Sequence, residues 1–350
     1  MPFSLPRLSN HYLYTRLNRL GLLIGAAALL QLAAGVGLAY VAGFSDIQHV
    51  LRAFDWVWMV PVLVGLVMSF VGYYFAYEGI YHVDRGPDLP GSQMRGVVIA
   101  GFGGFLAHGG AALDTYALEA AGADEREAKV RVSALGGMEH GMLSLIGTVA
   151  AIVLLTMGAR TPPLDFSLPW AVIPVPGFLL GFWLAERYRD QLRGAPGWKG
   201  KLGIFLDGIH LVRDLFRHIP SYAPALVGMI VFWLAESLMG WSALAAFGFR
   251  MNWAQFIIGF GTGMIFTRRT GPLAGAGLLD LILPVTVWYS GAPFATAVVG
   301  LFTYRVASLW LPMPFALARL PQLRDMGRST ADRSHGEAET ANEPALRRGA

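Results

Sequence analysis

Six apolar runs, each long enough to cross a bilayer as a helix, dominate this sequence. The hydrocarbon core of a membrane is about 30 Å thick, a distance that about 20 helical residues span. Only 14% of the 350 residues are charged, against about a quarter in soluble domains. We therefore predict an all-α membrane protein with about six transmembrane helices. The runs cover residues 21–43, 56–77, 133–158, 168–186, 222–247 and 292–317.

Two further apolar stretches, residues 96–120 and 253–290, are each interrupted by a glycine-rich polar patch. A helix that is broken at membrane depth exposes backbone amides, so it must be shielded by protein or line a wet cavity. We predict that both stretches form re-entrant helical hairpins. The alternative is that each is an ordinary pair of spans joined by a short loop.

The distribution of arginine and lysine predicts the orientation. Cytoplasmic loops of membrane proteins carry an excess of both residues, and they cluster between residues 186 and 220. With six spans, both the N-terminal segment (1–20) and the tail (319–350) lie on the cytoplasmic side of a bacterial-type cytoplasmic membrane. The tail is polar without periodicity, which predicts disorder. Apolar residues at helical spacing predict an interfacial amphipathic helix over 198–219.

This orientation makes the two hairpins enter the membrane from opposite sides, as in an inverted repeat. Within the integral membrane domain (21–318), repeat one covers about 96–158 and repeat two about 253–317. Polar residues support this division, because Asp114 and Glu139 have the same spacing as Asp280 and Arg305.

The end of the chain resembles a known membrane family. A P-x-x-G-x-G-x-x-D pattern is followed by SGAPFATAV, by Tyr-Arg within an apolar helix and by Leu-Pro. Together these are similar to the membrane region of lysylphosphatidylglycerol synthases, a flippase-like family. Three positions depart from the family pattern. Asp280 replaces the commoner glutamate, Asp114 stands near where an arginine is common, and His140 follows Glu139 where the family usually has arginine. The residues that carry the resemblance are Pro272, Gly275, Gly277, Asp280, Gly291, Ala295, Tyr304, Arg305 and Pro312.

The resemblance implies two structural repeats around a central cavity and a role in moving or handling lipid-linked molecules. In the best-known members, the membrane region is fused to a cytosolic aminoacyl-transferase domain. About 30 residues follow the last apolar run, too few for such a domain, so we do not expect synthase activity.

Arg268 and Arg269 are the first candidate ligand-binding residues. A guanidinium costs about 2.5 to 3.5 kcal/mol in hydrocarbon on insertion scales, yet its fork of donors suits phosphate. The adjacent backbone of Gly275 and Gly277 can present N–H groups to the same anion. The alternative is that the two arginines cap an external loop and contact water.

Further candidates are charged residues within the spans. Arg305 requires a buried partner, for which Asp280 and Glu236 are available, and the pair either binds a ligand or ties helices together. In repeat one, Asp114, Glu139 and His140 occupy the matching positions. A carboxylate beside an imidazole could relay protons, or the group could be a hydrogen-bonded packing network.

Several functions have no support in the sequence. The chain has no cysteine, which excludes disulfides and cysteine-based metal sites or nucleophiles. No histidine and acid spacing predicts a metal site, and we expect no cofactor, no enzyme activity and no nucleic-acid partner.

The leading hypothesis is a transporter or flippase whose partner is an anionic phospholipid or lipid-linked molecule. An intramembrane enzyme, or an accessory subunit that presents lipid to a separately encoded transferase, is the alternative. A structural scaffold ranks last, and a homo-oligomer is compatible with each.

Overall fold

The structure is a computed structural model that describes residues 20–87, 89–102, 111–158, 162–265, 275–319 and 321–322. This part of the chain is all-helical, as predicted. Nearly all of the N-terminal segment (1–20) and of the tail (319–350) lies outside the described residues, and so do Arg268, Arg269 and Pro272.

Most of the described chain is α-helix, with short 3-10 segments at Trp56–Trp58 and Val83–Arg85 and a π-helical segment at Val306–Trp310. The α-helices are α1 (Leu20–Ala42), α2 (Phe44–Arg52), α3 (Met59–His82), α4 (Gly91–Phe102), α5 (Ala111–Ala120), α6 (Glu125–Thr156), α7 (Leu164–Val172), α8 (Pro174–Leu192), α9 (Trp198–Arg217), α10 (Ile219–Ala245), α11 (Trp253–Ile265), α12 (Leu278–Tyr289), α13 (Phe294–Arg305) and α14 (Met313–Ala318).

Six helical segments of the described chain are long and apolar enough to cross a membrane, which confirms the predicted number. Each overlaps one predicted run, and many of their large apolar side chains face outward, as in a chain whose surroundings are lipid. The protein therefore has the architecture of a multi-pass membrane protein. The six segments are Gly21–Ala42, Trp56–His82, Glu125–Thr156, Leu164–Leu192, Ile219–Ala245 and Phe294–Ala318.

Capping and proline residues explain several helix boundaries. Asp124 begins α6, where its carboxylate accepts a 2.8 Å hydrogen bond from the N–H of Glu127. The fourth segment consists of α7 and α8, which meet where Pro174 begins α8. Proline has no backbone N–H to continue the hydrogen-bonding of the preceding helix, so it is favoured at a helix start.

The two interrupted stretches form pairs of short helices. Helices α4, α5, α11 and α12 have 12, 10, 13 and 12 residues, which gives lengths of about 15 to 20 Å. Each is therefore too short to cross about 30 Å of hydrocarbon alone. Helices α11 and α12 pack antiparallel, since Gly259 approaches Thr286 and Ser290 while Gly263 approaches Leu283.

Helices α3 and α10 make the largest contact between described helices. Gly65, Gly72 and Gly79 recur every seven residues along the α3 face that meets α10. A Cβ on Gly72 would lie 2.5 Å from the carbonyl oxygen of Gly228. Small residues allow this close approach of membrane helices. Because Gly65 meets Ala235 whereas Gly79 meets Ala225, the two helices are antiparallel.

Two groups of four helices share one order: a long helix, two short helices and a second long helix. We call the first and last helix of each group long because each belongs to a spanning segment; α13 itself has 12 residues and begins the segment Phe294–Ala318. We call α3 to α6 the first four-helix unit and α10 to α13 the second. In both units the first long helix contacts the first short one, and the second short helix contacts the last long one.

Helix α9 corresponds to the predicted amphipathic segment 198–219 and packs against α6 and α8. Two glycines allow this packing. Gly208 lies over the side chain of Ser133 and the backbone nitrogen of Ala134, and Gly203 lies over the carbonyl of Leu192.

Candidate functional site

A buried ion pair joins α12 to α13. Asp280 is the third residue of α12, and Arg305 is the last residue of α13. The Nε of Arg305 donates to Oδ1 of Asp280 over 3.0 Å, and the two side chains are only 7% and 1% exposed. The structure thus places Arg305 against the first of its two expected partners.

Asp280 has two more donors. Its Oδ2 accepts a 2.9 Å hydrogen bond from the N–H of Gly277, and Nε2 of Gln31 lies 3.3 Å from its Oδ1. The amide oxygen of Gln31 accepts a hydrogen bond from the indole of Trp310. Helix α1 is therefore attached to the ion pair through its buried glutamine.

Local backbone geometry positions both charged residues. Gly277 precedes α12 with a φ of 82°, and a Cβ there would lie 3.1 Å from Leu30. Glycine adopts this left-handed conformation without steric cost. The π-helical segment Val306–Trp310 follows Arg305 directly, and such wide turns occur frequently at functional sites.

The second unit contains another buried carboxylate, Glu236 on α10. The hydroxyl of Tyr304 on α13 donates to Oε2 of Glu236 over 2.5 Å. Glu236 is 2% exposed. This hydrogen bond ties the two long helices of the second unit at the residue before Arg305.

The first unit has an analogous polar cluster on α3, α5 and α6. Asp114 and Glu139 are completely buried. The hydroxyl of Tyr77 donates to Asp114, and the hydroxyl of Tyr73 donates to Glu139 over 3.0 Å. The indole of Trp233 on α10 donates to the backbone oxygen of Glu139 over 2.7 Å, so this cluster also reaches the second unit.

Glu139 and His140 are adjacent in sequence but their side chains have different neighbours. Adjacent helical residues point about 100° apart, and Glu139 faces α3. His140 instead lines an apolar cleft of about 540 Å³ between α6, α8 and α9, with its Nδ1 2.9 Å from the carbonyl oxygen of Gly136.

The two glycines predicted to receive an anion meet this prediction only in part. Gly275 and Gly277 both have positive φ, but the N–H of Gly277 is directed at Asp280. Arg268 and Arg269, the other half of that predicted site, lie outside the described residues.

Gln31, Tyr73, Tyr77 and Trp233 were not among the predicted site residues. The only signal for Gln31 is that it is the single polar side chain within an apolar run, and polar residues within spans usually face the protein interior. Tyr73 and Tyr77 are four residues apart and share one helix face. Which carboxylates they meet depends on tertiary packing.

The two clusters place carboxylates, a guanidinium and tyrosine hydroxyls between the helices of the units. Within the described ranges no group of three His, Asp or Glu side chains could hold a metal ion. A comparison with protein-family models and with curated proteins finds no match to this chain.

Proposed function

We propose that the protein is a transporter or flippase that moves an anionic phospholipid or lipid-linked molecule between membrane leaflets. The observation that carries the proposal is the ion pair of Asp280 with Arg305, which is almost fully buried beside a pair of short helices. An ionisable residue within the membrane region is by default a functional residue.

The energetics favour a functional role over a purely structural one. A buried ion pair is often no more stabilising than apolar side chains of similar volume. Helices α12 and α13 could therefore pack as firmly without charge. Retention of a guanidinium at this place is best explained by an anionic group that enters during the working cycle.

The arrangement of the units supports two re-entrant hairpins in an inverted pseudo-repeat. The short helices of each unit cannot span the membrane alone, and α11 and α12 are antiparallel. Helices α3 and α10 begin their units and also run antiparallel. Two units with the same helix order and opposite directions are related as inverted repeats, which frame the substrate sites of many transporters.

Arg305 is the residue that we assign to the anion. A guanidinium binds carboxylate and phosphate with the same fork of donors, so a lipid phosphate can compete with Asp280 for Arg305. Exchange of one anion for the other would loosen α12 from α13 while keeping the guanidinium paired. Arg268 and Arg269 would add positive charge near the end of the second hairpin.

Leaflet exchange in reconstituted vesicles tests this proposal. The probe is phosphatidylglycerol with a fluorescent acyl chain, and dithionite bleaches only the label in the outer leaflet. Arg305→Gln should abolish the exchange seen with the wild-type protein. It should also destabilise the protein by about 3 to 5 kcal/mol, because Asp280 then remains buried without its cation.

A double variant separates function from folding. Asp280→Asn with Arg305→Gln leaves no unpaired buried charge, so it should fold better than the single variant and still fail to exchange lipid. Arg250→Gln is the matched control, since Arg250 lies over the ring of Trp58, away from both clusters. Wild-type exchange by the folded double variant would refute the role of the ion pair.

A further inference from the structure

A second polar region lies where α6, α8 and α9 meet. It encloses a cavity of about 620 Å³ on the arginine-rich side of the protein. The buried clusters of the two units do not contribute to it. Its charged and titratable lining residues are Asp84, Asp124, Arg126, Glu127, Arg131, Arg189, Arg193, Asp207 and His210.

Helix α9 separates this cavity from an apolar cleft. Phe205, Ile209 and Val212 line the apolar cleft, whereas Asp207 and His210 on the other face line the polar cavity. The polar cavity therefore lies next to a surface suited to acyl chains.

Most charges of the cavity have close partners within the protein. Arg131 donates to the carbonyl oxygens of Ile80 and Val83 and to Glu127. Asp124 caps α6. These charges hold α6 to the end of α3 and form one wall of the cavity.

Arg189 and Arg193 form the opposite wall and have only distant partners. Arg189 lies in the last turn of α8, Arg193 directly follows that helix, and both line the cavity. Among described residues, the ion pair of Arg189 is with Asp190 at 3.8 Å and that of Arg193 is with Asp207 at 3.9 Å. Both separations exceed hydrogen-bonding distance, so both guanidiniums have donors available for an anion.

Asp207 requires a hydrogen-bond donor, whereas the two arginines require an anion. Its Oδ2 accepts a 2.6 Å hydrogen bond from Arg126. Its Oδ1 is buried and has no hydrogen-bond partner among the described residues, and the side chain is only 8% exposed. A buried carboxylate oxygen without a donor is costly, so a ligand here should supply an N–H or O–H group.

His210 offers a further polar atom beside Asp207. Its Nδ1 is likewise buried without a hydrogen-bond partner in the described chain. Burial lowers the pKa of His210, although Asp214 and Asp84 oppose the shift; Arg189 and Arg213 add to it. The Nε2 of His210 lies 3.3 Å from Oδ2 of Asp214. A neutral imidazole that donates to Asp214 keeps Nδ1 as an acceptor for a donor group of the ligand.

We propose that this cavity binds a phosphate ester that also carries a hydroxyl or ammonium group. The phosphate is held by Arg189 and Arg193, and the donor group is held by Asp207. Glycerophospholipid headgroups and soluble phosphate esters share this chemistry. The site is separate from the ion pair of Asp280 and Arg305, so it does not depend on lipid exchange.

Binding to the purified full-length protein tests the proposal and distinguishes the two sources. In one arm, sn-glycerol 3-phosphate and phosphoethanolamine are titrated into detergent-solubilised protein by calorimetry. In the other, native mass spectrometry measures retention of phosphatidylethanolamine and phosphatidylcholine from mixed nanodiscs. Because a quaternary ammonium has no N–H, phosphatidylethanolamine should be retained in preference to phosphatidylcholine.

Variants assign the two halves of the ligand. Arg189→Gln with Arg193→Gln should weaken binding about tenfold or more, since two charge-assisted hydrogen bonds are lost. Arg187→Gln is the matched control, because Arg187 is exposed on the same helix and does not line the cavity. Asp207→Asn should keep phosphate binding and reduce the preference for ethanolamine over choline.

Binding of the soluble esters would support a soluble ligand, and binding in nanodiscs alone would support a lipid headgroup. The proposal is overturned if neither probe binds. It is also overturned if the double arginine variant, with wild-type thermal stability, binds as the wild type does.

Discussion

The two four-helix units share an order of helices but differ in how they satisfy their buried acids. In the first unit, Tyr73 and Tyr77 donate to Glu139 and Asp114. In the second unit, the acid of the short helix forms an ion pair with Arg305. Tyrosine places a neutral donor at the carboxylate, whereas arginine brings a full charge. The ion pair is therefore the more specialised of the two arrangements, and we assign the anion to that unit.

Both units have a hydrogen bond between a tyrosine and a glutamate on their first and last long helices, but the two residues exchange helices. In the first unit the tyrosine is on the first long helix and the glutamate on the last, as Tyr73 and Glu139 show. In the second unit Glu236 is on the first long helix and Tyr304 on the last. The first and last helices are thus linked in both units, while donor and acceptor exchange places.

A second difference lies at the beginning of the last long helix. Helix α6 of the first unit begins with Glu125, Arg126 and Glu127, whereas α13 begins with Phe294, Ala295 and Thr296. Only the first of these ends contributes charges to the polar cavity. The units therefore differ where one of them meets the arginine-rich side of the protein.

The largest effect is expected where the units join. In Gly72→Ala, the new Cβ would lie 2.5 Å from the carbonyl oxygen of Gly228 and 2.6 Å from the backbone nitrogen of Phe232. Backbone atoms cannot move aside as a side chain can, so we expect a loss near the upper end of the usual overpacking cost, about 3 kcal/mol. Thermal unfolding in detergent measures it.

Gly37→Ala is the control for that variant, because a Cβ at Gly37 of α1 meets no atom within 4 Å. It should leave the midpoint unchanged or raise it slightly, since alanine is the better helix former. Equal midpoints for the two variants would show that α3 and α10 are not held by this close contact.

An intermediate effect is expected from the tyrosine and glutamate links. Tyr73→Phe and Tyr304→Phe each remove one donor from a buried carboxylate, which costs about 1 to 3 kcal/mol. If the two links are equivalent, the two variants should lose similar stability, as measured by denaturation in detergent. A loss confined to Tyr304→Phe would make the second unit the only one whose long helices depend on this bond.

The sequence predicts the framework of this fold better than its polar contacts. Long apolar runs identify all six spanning segments, because length and hydropathy alone decide whether a helix can cross a bilayer. Glycine-rich interruptions correctly mark the short helices. The charged residue Arg305 also identifies Asp280, since burial of one ion demands another nearby.

The remaining contacts depend on helix rotation and packing, which one sequence does not specify. Glu139 and His140 are neighbours in the chain, but Glu139 meets Tyr73 of α3 whereas His140 lines the apolar cleft. Gln31 reaches Asp280 across 249 positions of sequence, and nothing local links them. The Oδ1 atom of Asp207 is buried, and without a hydrogen bond from any described residue, because α9 packs over α6 and α8.

The smallest effect concerns His210, which belongs to the polar cavity that distinguishes the first unit. Burial lowers its pKa below the ordinary value of about 6.5, so the folded state binds a proton less readily than the unfolded state does. The contribution of the neutral His210 side chain to the stability of the folded state is therefore complete above about pH 6.5. It is lost progressively as the pH falls from there through the lowered pKa of the folded state.

His210→Gln should remove this part of the pH dependence. Unfolding midpoints of the variant and of the wild type, measured between pH 7.5 and 5, should therefore converge at the acid end. His218→Gln, at the exposed end of the same helix, tests whether any histidine replacement has this effect. If the unfolding midpoints of His210→Gln and of the wild type change in parallel with pH, burial does not lower the pKa of His210.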